Sequence, residues 1–392
     1  MSLPRILFVD DEPRILDGLR RSLRARRYDW DMDFATSGAQ ALEALAGAPY
    51  DVVVSDMRMP GMDGAELLTE AGRAHPGVAR VVLSGHIEPE VIVKVAMAGH
   101  RFLTKPSDAD SLTAVIDQLL LRTCASRPSL ARRLAGAVLS IPESPGHADS
   151  VAALLAPDAT VETAVHAAVC DVGLAAKLLQ LSGSRFFGAR PRNYSIESIV
   201  RAMGVPMVQA VADAGHRSWS PAGWYPGSEP LLAATWRHAR ATALLVEQVA
   251  SPANRPHAQA AALLQDVGHL ICLAGADAAA DLEAGTRDGV PFRDVAVELL
   301  HLWGVPPPVV VAVAQRDTPH RPDPSGLGVA GALRTAHLLV TQAEAGSLPV
   351  ADRQELALLL AHPQLQAHPI DWVQAAEEAQ AQAGRTACSA AS

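Results

Sequence analysis

Over the first third of the chain, short runs that are apolar on both faces alternate with segments of helical spacing. Residues 6–9 and 52–54 are uninterrupted apolar runs, and 81–83 and 102–103 are shorter ones. Such runs suit central parallel strands covered by helices. Between them, residues 13–26 set Ile15, Leu16, Leu19 and Leu23 at helical spacing. Ser37 with Gln40 reads as a capping box opening a helix through Leu45, and Asp63-Gly64 precedes another helix. Ser107 is placed to cap the last helix, which carries Leu112, Val115, Ile116 and Leu119. The repeated βα pattern ends near Arg122. It predicts an α/β doubly wound five-stranded parallel sheet over residues 1–122, with sites at the carboxyl ends of its strands.

Residues 123–129 bring together Ser, Arg and Pro and are read as a linker. Beyond them strand signals fade and helical periodicity takes over. Helices are expected over 130–139, 161–169, 196–203, 231–249, 258–264, 298–303, 333–343, 353–361 and 371–382. One more, with Leu174, Leu178, Leu179 and Leu181 on one side, is capped by Asp171, and Ser195 caps the helix at 196. Residues 141–146 read as a break, and the Pro/Gly-rich pieces 220–230 and 318–328 as surface loops. The second domain is therefore expected to be all-α over 130–385, with a core at 130–320 and trailing helices to about 385.

Composition narrows the function. A length of 392 residues, 49% of them hydrophobic, points to more than one folded core. The net charge of −9 argues against a broad nucleic-acid footprint, and 4% aromatics against base-stacking platforms. Basic residues in the second half are dispersed, so direct DNA binding is not expected. The four cysteines are scattered without a CxxC pair, which suggests neither a zinc knuckle nor a disulfide framework. The first residues turn acidic at once, unlike a signal peptide, and no apolar stretch approaches the roughly 20 residues of a membrane span. A soluble cytoplasmic protein is the reading. No GxSxG elbow, P-loop or GxGxxG occurs in strand–helix context.

The polar residues that follow the apolar runs carry the chemistry. Asp10, Asp11 and Glu12 follow the first predicted strand, Asp56 the third, Ser84 the fourth and Lys105 the fifth. All fall at the carboxyl edge. Carboxylates gathered there repel one another unless a hard cation joins them, and Mg²⁺ suits a few carboxylate and carbonyl oxygens while keeping its waters. Such a metal favours phosphoryl transfer to a carboxylate nucleophile. VDDE at 9–12, SDMRMPGMDG at 55–64, LSG at 83–85 and FLTKP at 102–106 resemble the receiver domain of bacterial response regulators, which has a flavodoxin-like fold. The resemblance implies Asp56 as phosphoacceptor and Asp10 and Asp11 as the acidic pair. Asp11, Asp56 and the Arg58 carbonyl would ligate Mg²⁺. Ser84 and Phe102 would be the switch pair, Lys105 the phosphate-binding lysine, and Lys105-Pro106 the family's cis peptide.

The second half is similar to the HDOD family, an output domain related to HD phosphohydrolases. The similarity rests on DVGLAAKLLQLSGS at 171–184, SIESIVRAMGV at 195–205, TWRHA at 235–239, ALLQDVGHL at 262–270 and ELLHLWGVPPPVVVAVAQ at 298–315. The hydrolases need a His-Asp pair with further His and Asp ligands holding divalent metals. Here His238 stands where the first histidine would be. Gln265-Asp266 replaces the His-Asp pair, residues 292–294 lack the next histidine, and Gln315-Arg316 replaces a His-His pair. An amide is a poor ligand beside imidazole, and an arginine brings its own charge to the cation's place. His269 and His301 lie near these positions without a known ligand spacing. The GYP segment of cyclic-di-GMP phosphodiesterases is absent; WYPG at 224–227 lies elsewhere. Trp303 reads as core, and Trp219, Trp224 and Trp236 as packing residues.

Together these resemblances imply a two-component response regulator in a phosphorelay. A sensor histidine kinase would phosphorylate Asp56, and the receiver would signal to a non-catalytic HDOD domain that holds no metal. That domain would act by binding an output partner protein or a nucleotide ligand, with a homodimer left open. The alternative is a metal-dependent HD-type phosphohydrolase acting on a cyclic dinucleotide.

Overall fold

The structure is a computed structural model. It describes residues 3–85, 98–105, 108–121, 129–138, 148–183, 193–218, 229–273, 280–281, 285–321, 323, 325–367 and 369–385. Most of the expected linker, the break at 141–146, Pro106, Ser107, Trp219 and Trp224 lie outside these residues. The chain divides into two compact units. One gathers Met1–Ser140 with Gln180–Arg190 and Glu298–Gly304; the other gathers Ile141–Leu179, Pro191–Val297 and Val305–Ser392.

Five parallel strands build the first unit: β1 (Arg5–Val9), β2 (Asp31–Ala35), β3 (Val52–Asp56), β4 (Ala79–Ser84) and β5 (Arg101–Thr104). Their order is β2-β1-β3-β4-β5. Every residue of β3 and β4 is buried, as their unbroken apolar runs require. Helices α1 (Pro13–Ser22), α2 (Gly38–Gly47), α3 (Gly64–Ala74) and α4 (Ala109–Leu120) belong to this unit. The strand order reverses between β1 and β3, so a crevice is expected where these two strands end.

Local chemistry sets the helix ends. The Ser37 side chain accepts the Gln40 N–H, but the Gln40 amide turns to Thr36 rather than closing the expected box. Asp63 and Glu66 form a full capping box at α3. The cap of α4 is Asp108, which accepts the Ser111 N–H. Helix α1 stops at Ser22, and a 3₁₀ turn over Arg24–Tyr28 replaces the helix expected to Arg26. Gly64 is needed for contact rather than conformation: a Cβ there would lie 2.0 Å from the Asp56 carbonyl oxygen.

The helix expected to open the second domain, α5 (Leu130–Gly136), packs on the first unit. Buried Arg80 donates to the carbonyls of Gly136 and Ala98, each at 2.9 Å. Burial pushes its guanidinium down to about 10. A Cβ at Gly136 would meet the Pro76 carbonyl oxygen at 1.8 Å.

The rest is helical: α6 (Ala148–Leu155), α7 (Val161–Cys170), α8 (Val172–Ser182), α9 (Ile196–Met203), α10 (Val205–Ser218), α11 (Glu229–Val249) and α12 (Arg255–Leu264). There follow α13 (Val267–Leu273), α14 (Phe292–Trp303), α15 (Pro307–Ala314), α16 (Gly328–Ala345), α17 (Val350–Leu360), α18 (Pro363–Gln366) and α19 (Trp372–Gly384). Helix α11 is central to the second unit and packs against α12, α16 and α19. Asp171 and Ser195 cap α8 and α9 as expected. Trp303 and Trp236 are core residues. One feature departs from the all-α expectation. Two-residue strands at Ala280–Asp281, Thr286–Arg287 and Val290–Pro291 form a small antiparallel sheet. Asp288 and Gly289, both at positive φ, turn between its last two strands, and Asp-Gly is a hairpin signal. No single described helix is long and apolar enough to cross a membrane; the bent pair α7 and α8 passes by length and composition alone.

Gly64→Ala should force the start of α3 off the Asp56 loop. The expected cost is about 1–3 kcal/mol in the stability of the sheet unit. Denaturant unfolding of the two proteins checks it, and an unchanged midpoint would show that the loop relaxes freely.

Candidate functional site

Three residues meet at the carboxyl edge of the sheet. Asp10 follows β1, is 2% exposed, and accepts the Glu12 N–H at 3.0 Å. Asp56 ends β3, is 8% exposed, and its Oδ2 accepts the Arg58 N–H at 2.9 Å. Lys105 follows β5, and its N–H bonds the Ser84 carbonyl, which holds it beside the end of β4. Its Nζ lies 2.7 Å from Asp10 Oδ2 and 2.5 Å from Asp56 Oδ1. Burial pushes the Lys105 ammonium down, but hydrogen bonds and charge from both aspartates outweigh it and raise it above the ordinary lysine value.

The other expected residues surround this trio in the chain. Ser84 is buried at the end of β4, in register with Thr104, and Phe102 is buried on β5 in register with Val82. Asp11 is half-buried, and Arg58 is exposed. Among the described residues, no three His, Cys, Asp or Glu side chains gather into a metal-holding group. The two carboxylates that converge are bridged by Lys105.

In the helical unit, His238 of α11 and Asp266, just before α13, come into one polar cluster. His238 Nε2 lies 2.8 Å from Nδ1 of His337, and its Nδ1 lies 2.9 Å from Glu344 Oε2. A carboxylate only accepts, so His238 donates from Nδ1 to Glu344, and the contact between His238 Nε2 and His337 Nδ1 needs a proton on one of those two nitrogens. Asp266 is 8% exposed and ion-paired with Arg316, which also grips Asp317 with two bonds, at 2.8 and 3.1 Å. His269 Nδ1 lies 3.5 Å from Asp266. Burial pushes the Asp266 carboxyl up, but the charge of Arg316, then of His269, holds it well below the usual carboxylate range. The Gln265 amide is buried and makes no side-chain hydrogen bond among the described residues. His301 lies in the segment Glu298–Gly304, which groups with the first unit. His337 and Glu344 were not singled out by motif. Their seven-residue spacing puts both on one face of α16, which is the signal that could have found them.

Burial, then the charges of His238 and Arg316, hold the His337 imidazole well below the ordinary value. A base whose folded value is depressed takes up its proton more readily when unfolded. Stability is therefore intact above about pH 6.5 and falls as pH drops below it. His337→Gln should flatten that fall by up to about 1.4 kcal/mol per pH unit. Urea unfolding at a series of pH values between neutrality and pH 5 checks it; an unaltered slope would place the proton uptake elsewhere.

Residues 6–117 match the response regulator receiver domain family. Residues 141–319 match the HDOD domain family. Among curated proteins, the transcriptional regulatory protein GlrR of Escherichia coli K12 is 36% identical over 116 residues, 29% of this chain and 26% of that protein. QseB of Escherichia coli O157:H7 is 33% identical over 125 residues, 30% of this chain and 54% of that protein. The chain thus spans about a quarter of the first of these relatives and about half of the second. A solved structure of the signal receiver domain of an HD domain-containing protein from Pseudomonas fluorescens Pf-5 is 33% identical. It covers 31% of this chain and 88% of its own, with a TM-score of 0.29. This chain joins a response regulator receiver domain to an HDOD domain.

Proposed function

We propose that the protein accepts a phosphoryl group on Asp56 from a sensor histidine kinase and that its HDOD domain answers by binding rather than by hydrolysis. The observation that carries this is the trio Asp10, Asp56 and Lys105, drawn from the ends of β1, β3 and β5 to within hydrogen-bonding distance. A carboxylate oxygen of Asp56 attacks the phosphorus; an O–P bond forms as the N–P bond of the donor histidine breaks. The Arg58 N–H holds one Asp56 oxygen and orients the other. Lys105 is tethered to β4 through its backbone, so its ammonium can turn from the free carboxylate to a phosphoryl oxygen.

The donor set fits Mg²⁺, since Asp10, Asp11, Asp56 and the Arg58 carbonyl all offer hard oxygens to an ion that keeps several waters. When bound, that ion would neutralise the phosphoryl oxygens. Ser84, buried at the end of β4, would donate to the phosphorylated group. Phe102, buried in the free protein, would reorient as Ser84 moves.

For the helical domain, support comes from the pair Asp266 and Arg316. The guanidinium occupies the place a cation would take beside Asp266, and the buried Gln265 amide stands where a ligand imidazole would be. These residues disfavour the phosphohydrolase reading and favour an adaptor in the cytoplasm whose output is protein or ligand recognition.

Incubation with a small-molecule phosphodonor and Mg²⁺ should add one phosphoryl mass to the intact chain. Asp56→Asn should abolish the gain, and Lys105→Met should leave it but slow it by at least tenfold, the loss of one charge-assisted contact in the transition state. No gain in the natural chain, or an undiminished gain in Asp56→Asn, would overturn the assignment.

A further inference from the structure

Within the second unit, α7, α9, α11 and α19 line a half-open cavity of about 360 Å³. We propose that it binds a small amphipathic molecule carrying a single carboxylate. The site is separate from the His238 cluster. Arg240 lies two residues beyond His238 on α11, about 200° around the helix, so the two side chains leave opposite faces. His238 meets α16, whereas Arg240 meets α7.

The lining divides by chemistry. Val161, Val165 and Val169 of α7 and Leu244 of α11 supply an apolar wall. Arg240 supplies the cation. Its Nη2 donates to Cys170 Sγ at 3.5 Å, and among the described residues it makes no ion pair. A guanidinium at the edge of an apolar concavity, with only a thiol to receive it, is a ready receptor for an anion. The second arginine, Arg201, is already held by Glu197 at 3.0 Å and Glu162 at 3.8 Å.

Those two glutamates set the charge of the guest. Both line the cavity, so a dianion such as a phosphate monoester would be repelled, while one carboxylate can form a planar, bidentate pair with Arg240. His166 also lines the cavity, 3.6 Å from Cys170 Sγ. Burial and the charge of Arg240 keep its imidazole below the ordinary value, hence neutral at pH 7 and no rival cation. The volume lies at the lower end of small-molecule sites, roughly 300–1,000 Å³. The guest is thus a short apolar chain or ring ending in a carboxylate.

Octanoate is a suitable probe, with 1-octanol and octylamine as controls, titrated calorimetrically into the full-length protein. Octanoate should bind saturably, and octylamine should not. Arg240→Gln should weaken octanoate by about tenfold or more while leaving 1-octanol unchanged. Val165→Glu, on the half-exposed face of α7, should weaken both octanoate and 1-octanol and stands in if Arg240→Gln fails to fold. No binding of octanoate by the natural chain, or equal octanoate affinity in a folded Arg240→Gln protein or a folded Val165→Glu protein, would overturn the proposal.

Discussion

A carboxylate withdrawn from water must keep company with a cation, because isolated burial of its charge costs several kcal/mol even after relaxation. Asp10 and Asp56 are nearly buried at the end of the parallel sheet, and Asp266 is nearly buried in the helical unit. Each therefore dictates what stands beside it. At the sheet edge the partner is Lys105; in the helical unit it is Arg316.

The two cations are not equivalent. Lys105 reaches two carboxylates with one flexible ammonium, which leaves the oxygens free to exchange it for another positive group or to present themselves to a phosphoryl donor. Arg316 is held differently. Its planar fork spans Asp266 and Asp317 and also donates to the Gln265 carbonyl at 3.2 Å. A guanidinium fixed by so many acceptors is costly to displace. We therefore read the first site as built for charge exchange and the second as closed by its own side chain. Glu344, His238 and His337 then form a hydrogen-bonded chain beside Asp266 instead of a ligand set.

Much of the first unit could be read in the sequence, because β3 and β4 are buried on both faces and so carry unbroken apolar runs. The site was readable for the same reason: parallel strands deliver their following residues to one edge, so Asp10, Asp56 and Lys105 had to converge. Other features depended on contacts distant in sequence. Nothing local announces that Gly136 must lie against the Pro76 carbonyl, or that α5 groups with the sheet. The switch of the α4 cap to Asp108 reflects competition between adjacent capping residues, which propensity alone does not resolve. The small hairpin at Asp288-Gly289 did have a signal, but it is two residues long and was overshadowed by helical periodicity on either side. In the helical unit, the loss of the His-Asp pair was plain, whereas the partnership of His238 with α16 was not, since a helix face shows its neighbour only after packing.

The most direct measurement is the transition-metal content of the intact protein, by mass spectrometry after equilibration with zinc, manganese and iron and removal of unbound ions. The count is taken on the Asp11→Asn, Asp56→Asn protein, because the sheet-edge carboxylates of the natural chain would bind magnesium and manganese alike. If Arg316 is the cation that Asp266 requires, the helical domain retains none of the three metals in stoichiometric amount. A stoichiometric transition metal would contradict that reading and return the domain to the metal-dependent phosphohydrolases.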